Sequence, residues 1–409
     1  MSLNRRRFMI GAGLMAVTRA PAFAQNPPVR IGLLTVKTGP LATGGILMEQ
    51  GIRTFLKSRN NTLAGRKVEL IVGDTAGNPA GAKTKVQELV ERDKVDLIMG
   101  PIAAFELLAI NDYIVQAKMP ILSIAAADDM SQRKPNPWFI RTTASSSQVC
   151  HVMGHYLAKE RNLKRVGVIA DDFAYGYEQL GGFNKVFEDE GGRVVKKLYS
   201  PLSTADYVPY IAQLTGVDGV FTGIGGGTVR FIRQYADLEG AKKIPLFGGQ
   251  TTIDDSLLKN LGDEAIGVVT GTSYTASIET PTNRRFVEEF RRDYNNVPGS
   301  YSAGLYMNGM VVEAALAKTG GRVDNREEFV KAMRSVSLTD SPRGPLKFDH
   351  FGNAVGNVHV VRCERKGAEL VNTIIKVYEN VNQFWTYGEK AFLAQPVYSR
   401  NFPPSRFLE

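Results

Sequence analysis

The sequence predicts an α/β protein built as two lobes, each a doubly wound parallel sheet. Continuous apolar runs recur through the chain, and a stretch of helical spacing follows each. The pattern starts twice, at VRIGLLT (29–35) and again at KRVGVIAD (164–171). Three extended or Pro/Gly-punctuated segments are placed to carry the chain between the two series. Apolar strands separated by amphipathic helices imply a parallel sheet covered on both faces. The fixed hand of βα crossovers then winds helices onto each side.

Taken in order, 29–35 reads as a buried strand and 45–59 as a helix. VELIVG (68–73) is a second strand, and 79–92 a second helix with Pro79 in its first turn. Further short strands are expected at 96–99, 120–124, 165–170, 219–222 and 244–247. The crossing segments are WFIRTT (138–143), 268–274 and SPRGP (341–345), the last leading into a strand at 346–348. Residues 357–365 and 369–378 read as a hairpin turning at Lys366-Gly367. The lobes are expected to comprise 25–141 with 273–340, and 142–272 with 341–380. The Pro-containing tail, 381–409, is expected to be irregular and to lie on the surface.

Composition narrows the function. The chain has 409 residues, 43% hydrophobic and 22% charged, which excludes a disordered or low-complexity protein. No apolar run approaches the roughly 18 residues needed to span a bilayer. The start of the chain reads as an export signal: Asn4-Arg5-Arg6-Arg7-Phe8-Met9, an apolar stretch over 9–17, then Ala22-Phe23-Ala24. That layout matches a twin-arginine leader with cleavage near Gln25, rather than a buried helix, and predicts a periplasmic protein. The leader's four arginines have no balancing acid, so cleavage lowers the formal charge from +9 to +5. The remaining basic residues are scattered, as in Arg284-Arg285 and Arg291-Arg292 beside Glu288-Glu289, which suits a solvated helix face and not nucleic acid. Cys150 and Cys363 do not form a Cys-x-x-Cys pair. An oxidising compartment permits a disulfide between them, and two buried thiols fit equally well.

Catalytic motifs are missing. There is no G-x-S-x-G, G-x-x-x-x-G-K or H-E-x-x-H. His151 and His155 share a helix face, but no third zinc ligand accompanies them. The glycine-rich turn 223–227 resembles a dinucleotide loop without the acidic residue that would bind a ribose. No metal, cofactor or enzymatic activity is therefore expected.

A binding cleft is better supported, because ligands of open parallel sheets sit beyond the carboxyl ends of the strands. The turns there are 37–41, 100–105, 125–128, 172–176, 223–227 and 248–250. Helix N-termini in these turns offer free N–H groups to a carboxylate. Candidate contacts are Thr38, Ala104, Ala126, Ala127, Asp128, Gly225 and Gln250, with Phe105, Tyr175, Tyr274 and Tyr301 as aromatic walls.

VRIGLLTVKTGPLATGG (29–45), VELIVGDTAGNP (68–79), LIMGPIAAF (97–105), ILSIAAA (121–127), FIRTT (139–143), VGVIADDFAYGYE (166–178), LFGGQTTID (246–254) and PGSYSAGLYMNGM (298–310) follow one another in a familiar order. Together they resemble the periplasmic solute-binding proteins of ABC transporters, of the leucine/isoleucine/valine type. The resemblance spans essentially all of the chain after the leader. It implies the type I fold, two lobes joined by three crossing strands, capture by hinge closure, and delivery to membrane permease subunits by a monomer that binds no ATP. It implies that a ligand carboxylate is held in the turns 102–105 and 125–128, and an ammonium by an acid in the turn 248–250.

The chain departs from that pattern at three positions. Ala104 stands where the family has serine, Asp128 where it has threonine, and Gln250 where it has the acid. A buried ammonium needs a countercharge that Gln250 does not supply. Two ligand classes follow: an α-amino acid whose ammonium meets Asp128, or an aromatic carboxylate or amide among Phe105, Tyr175 and Tyr301. AAADDMSQR and PLSTADYVPYIAQL look more like the relatives of aromatic acids. A ligand-sensing receptor module and an exported enzyme are the competing functions.

Overall fold

The computed structural model describes residues 27–125 and 127–409. The leader over 1–24 and Ala126 lie outside the described residues. The elements are β1 (Val29–Thr35), α1 (Ala42–Ser58), β2 (Thr62–Leu63), β3 (Arg66–Asp74), α2 (Pro79–Gln87), β4 (Leu97–Met99), α3 (Ala104–Ala117), β5 (Ile121–Leu122), β6 (Phe139–Ile140) and α4 (Ser146–His155). They continue as β7 (Arg165–Asp171), α5 (Ala174–Asp189), β8 (Arg193–Ser200), α6 (Val208–Ile211), β9 (Gly219–Gly223), α7 (Thr228–Asp237), β10 (Leu246–Gly248) and β11 (Val269–Thr272). The chain ends with α8 (Pro281–Tyr294), α9 (Ser300–Lys318), α10 (Arg326–Arg334), β12 (Leu346–Phe348), β13 (Ala354–Lys366), β14 (Glu369–Val381) and α11 (Glu389–Leu393).

Two sheets form. The first runs β2-β3-β1-β4-β5-β6, parallel except for the β2–β3 hairpin. The second runs β12-β13-β11-β10-β9-β7-β8, with β14 paired to β13; it is parallel except that β13 runs opposite to its neighbours β11, β12 and β14. Strand order reverses between β1 and β4 in the first sheet and between β7 and β9 in the second. Those reversals open a crevice at the carboxyl ends of the strands.

Alternation along β7 shows why the second sheet is covered twice. Val166, Val168 and Ala170 join one buried cluster, and Ile169 between them joins the cluster on the other face. Successive side chains of a strand point to opposite faces, so an unbroken apolar run requires helices on both. The first lobe has its own core, in which α1 and α9 lie side by side.

The chain passes between the sheets after β6, after β11 and between α10 and β12. Arg141, fully buried at the first passage, ties the crossings together. It donates to Ala127 O and Ser131 Oγ at 2.8 Å, and to Asn353 Oδ1 at 2.8 Å in the turn between β12 and β13 that follows the third passage. Arg343, also fully buried, donates to Thr142 O at 3.1 Å and Asn357 O at 3.2 Å.

Two expectations are corrected here. The helix over 79–92 is α-helical only to Gln87 and closes with a π turn, Glu88–Arg92. The tail is not simply surface: Phe384, Phe392 and Tyr398 are buried in a cluster of their own. Cys150 and Cys363 are separate buried thiols.

Candidate ligand cleft

A cavity of about 1420 Å³ opens between the lobes at the two strand-order reversals. Its volume exceeds the roughly 300–1,000 Å³ usual for a small-molecule site, because it runs on into a groove along α7 past Arg230 and Lys259.

The first lobe supplies a mainly apolar wall. Pro40 and Leu41 come from the turn after β1, Ile102 and Ala104 from the turn after β4, and Ile124 from the turn after β5. The first-turn N–H groups of Ala104 and Phe105 have no acceptor within α3. The third, Ala103 N–H just ahead of the helix, is taken by Glu106 Oε2 at 3.2 Å. Glu106 is buried and also accepts from Thr75 Oγ1; burial raises its pKa. Tyr301 opens onto the cavity from the first turn of α9. Gly44 makes room for it: a Cβ there would fall 2.5 Å from Ile102 Cδ1 and 3.3 Å from the Tyr301 ring.

The second lobe supplies the polar and aromatic wall. Tyr175 hydrogen-bonds Thr251 Oγ1 at 2.6 Å, and its ring stacks on Phe173 with centroids 5.9 Å apart. Burial raises the Tyr175 phenol pKa. Phe173 meets Phe105 of the first lobe edge-on at 5.6 Å, so the aromatic wall crosses the cleft. Gln250 Oε1 accepts from Ser273 N at 3.2 Å and Ser273 Oγ at 2.6 Å. An N–H needs an acceptor, so this pairing turns the amide oxygen toward Ser273 and leaves the NH₂ for the cavity. Asp171, at the end of β7, accepts from Gly225 N at 2.8 Å. Its Oδ1 has no partner among the described residues. Burial pushes its carboxyl up to about 6, against the N–H groups of Gly225 and Gly226.

Of the residues expected from sequence, Ala104, Tyr175, Gly225, Gln250 and Tyr301 line one cavity. Phe105 is half-buried beside it through Phe173. Ala126 lies outside the described residues. The remaining four are placed elsewhere. Thr38 is exposed, and Pro40 and Leu41 of its turn face the cavity instead. Tyr274 is buried in the first lobe's core, where its OH donates to Asn283 Oδ1 at 3.0 Å. Asp128 caps α4, accepting from Ser146 N at 2.9 Å and Ser147 N at 3.2 Å. Ala127 N and Asp128 N are themselves taken by Glu178 at 3.1 and 2.8 Å. Burial raises the pKa of Asp128, and burial next to Asp128 raises that of Glu178. Asp128 is not among the residues lining the cavity. His151 and His155 also part ways, His151 to Tyr398 OH at 3.0 Å and His155 to Glu190 at 2.9 Å.

Sequence reasoning missed Asp171, Thr251, Ile102 and Ile124. The sign for Asp171 was present: it is the last residue of an apolar strand, in IADD. The sign for Thr251 was its position directly after Gln250.

A family profile described as periplasmic binding protein matches residues 28–368. The chain is 30% identical to the Leu/Ile/Val-binding protein homolog 6 of Brucella melitensis over 348 residues, 82% of this chain and 87% of that one. Among solved structures it is similar to an ABC transporter substrate-binding protein from Sphaerobacter thermophilus, at TM-score 0.81 and 31% identity, covering 87% of this chain and 99% of that one. It is also similar to a solute-binding protein of an ABC transporter from Rhodopseudomonas palustris BisB5 in complex with 3,4-dihydroxybenzoic acid, at TM-score 0.83 and 29% identity, covering 87% and 98%.

Proposed function

The chain belongs to the periplasmic binding protein family, and on that premise we propose that it is the solute-binding component of an ABC transporter whose cargo is an aromatic carboxylate. The observation that carries the choice of cargo is the orientation of Gln250. Its oxygen is committed to Ser273, so it presents a donor to the cavity. A donor suits a carboxylate or hydroxyl oxygen and repels an ammonium. The dihydroxybenzoate-bound relative from Rhodopseudomonas palustris supports the same reading.

On this reading the ring lies against Tyr175 and Tyr301, and its carboxylate meets the Ala104 and Phe105 N–H groups at the start of α3, which have no acceptor within that helix. Because the walls belong to different lobes, a bound ring stabilises the closed arrangement over the open one. The molecule captures and releases, and makes or breaks no covalent bond. It acts outside the cytoplasmic membrane, reaches that compartment through its twin-arginine leader, and hands its cargo to permease subunits.

A second reading is favoured by Asp171. Its unpartnered Oδ1 offers a countercharge for an amino acid ammonium, and the Brucella relative bears a Leu/Ile/Val-binding name. Calorimetric titration with 3,4-dihydroxybenzoate, benzoate and leucine separates the two. Saturable heat from an aromatic acid and none from leucine is expected. Saturable heat from leucine alone replaces the aromatic reading with the amino acid one.

A further inference from the structure

Residues 382–409 lie across both lobes. We infer that this segment is a strap that limits how far the empty protein opens, with Arg133 as its principal anchor on the first lobe. On the second lobe the strap is held along α4 and α5. Tyr398 bonds His151 Nε2 at 3.0 Å and packs so closely on α5 that a Cβ at Gly181 would lie 2.7 Å from its ring. Arg406 pairs with Glu188 at 3.0 Å. Arg400 pairs with Asp172, which also accepts from Tyr177 OH at 2.7 Å. Asp172 stands between the cavity residues Asp171 and Phe173.

The grip on the first lobe is smaller and more directional. Arg133, in the loop between β5 and β6, donates Nε to Gln395 O at 2.6 Å and Nη2 to Phe392 O at 3.1 Å. Its guanidinium lies 5.2 Å from the centre of the Phe392 ring. Gln383 Nε2 donates to Ser131 O at 2.8 Å, and Ser131 Oγ lies 3.1 Å from Gln383 Oε1. This is the loop whose Ala127 and Asp128 N–H groups meet Glu178 of the second lobe. The strap thus reinforces an interlobe seam beside the crossings, where Arg141 also holds Ala127 O and Ser131 Oγ. The family match ends at residue 368, short of the strap.

The consequence for binding is a population effect. Apparent affinity scales with the fraction of molecules already in the competent arrangement. A strap that narrows the range of opening raises that fraction without touching the ligand.

The inference rests on reading the molecule as two lobes that close on a solute, but its test works on the empty protein. Spin labels at Leu108→Cys on the first lobe and Ile266→Cys on the second, both exposed positions, report the interlobe distance. The buried native thiols stay unlabelled. Arg133→Gln is expected to shift the ligand-free distance distribution to longer, broader values. It is also expected to weaken 3,4-dihydroxybenzoate binding by up to roughly tenfold, the scale of one or two charge-assisted hydrogen bonds. Gln383→Ala should act in the same direction. Arg406→Gln, at the far end of the strap, leaves the Tyr398 anchor on the second lobe and the Arg133 anchor on the first intact and should leave the distribution in place; circular dichroism checks that each variant is folded. An unchanged distribution in Arg133→Gln, or equal broadening in Arg406→Gln, overturns the inference. If 3,4-dihydroxybenzoate does not bind at all, the choice of cargo fails while the distance measurement still decides the strap.

Discussion

Asp254 of the second lobe caps the helix that carries Tyr301 in the first. Its Oδ2 accepts from Ser300 N at 2.7 Å and from Ser300 Oγ at 2.6 Å, one residue before the cavity tyrosine. The approach is tight enough that a Cβ at Gly299 would fall 1.7 Å from Asp254 Oδ1. The position of one cleft wall is therefore set by a carboxylate from the other lobe.

Asp254→Ala removes both bonds and exposes the positive end of α9. A loss of about 2 kcal/mol in unfolding free energy is expected, with weaker ligand binding because Tyr301 loses its reference point. Denaturant unfolding and calorimetry read the two effects. Unchanged affinity in a destabilised variant would show that Tyr301 is held by other means.

Gln250→Glu keeps an acceptor for Ser273 and replaces the cavity donor with a negative charge. Binding of an aromatic acid should fall at least about tenfold, or 1.4 kcal/mol, while leucine binding should appear or strengthen. Titration of both ligands against both proteins checks this, and equal affinity for the aromatic acid in the variant contradicts the assigned orientation of the amide.

Acid should destabilise the fold through His151. Burial, with Lys185 adding to it, lowers this imidazole's pKa from 6.5 to about 3. Between those values the unfolded chain holds a proton that the native protein does not. Stability is therefore fully present above 6.5 and is lost as pH falls toward 3, by about 2 kcal/mol at pH 5. His151→Gln should flatten this part of the profile. The same slope in wild type and variant would assign the acid loss elsewhere, for instance to His359, which burial lowers to about 4.

Cys150 and Cys363 are both buried, and burial raises the pKa of each thiol. Neither should react with a disulfide reagent in the native protein, and both should react in denaturant. Rapid native labelling at either position would show that its surroundings open far more readily than this packing allows.

Much of the architecture was legible because it rests on local pattern. VRIGLLT gives β1 at its observed bounds, and the apolar runs locate most strands of both sheets to within a few residues. The departure at Gln250 was also legible, since a missing charge shows in the sequence itself. Asp128 and Tyr274 were misplaced for a different reason. Their partners, the N-terminus of α4 and Asn283, are fixed by how helices pack, and residue type carries no trace of that. The tail gave a sign that went unread: Phe384, Tyr387, Phe392, Tyr398 and Phe402 are too many aromatics for a segment left in water.

The three passages between sheets also govern the order in which the protein can be made. The surface of α1 that takes α9 is so close-fitting that a Cβ at Gly51 would lie 2.0 Å from Ser302 O. A ribosome delivers that partner about 250 residues after α1 has emerged. Until then the flank of α1 that α9 covers has no partner. No single proteolytic cut yields either half intact, and translation must pass Lys318, the end of α9, before the earliest residues have a finished place to rest.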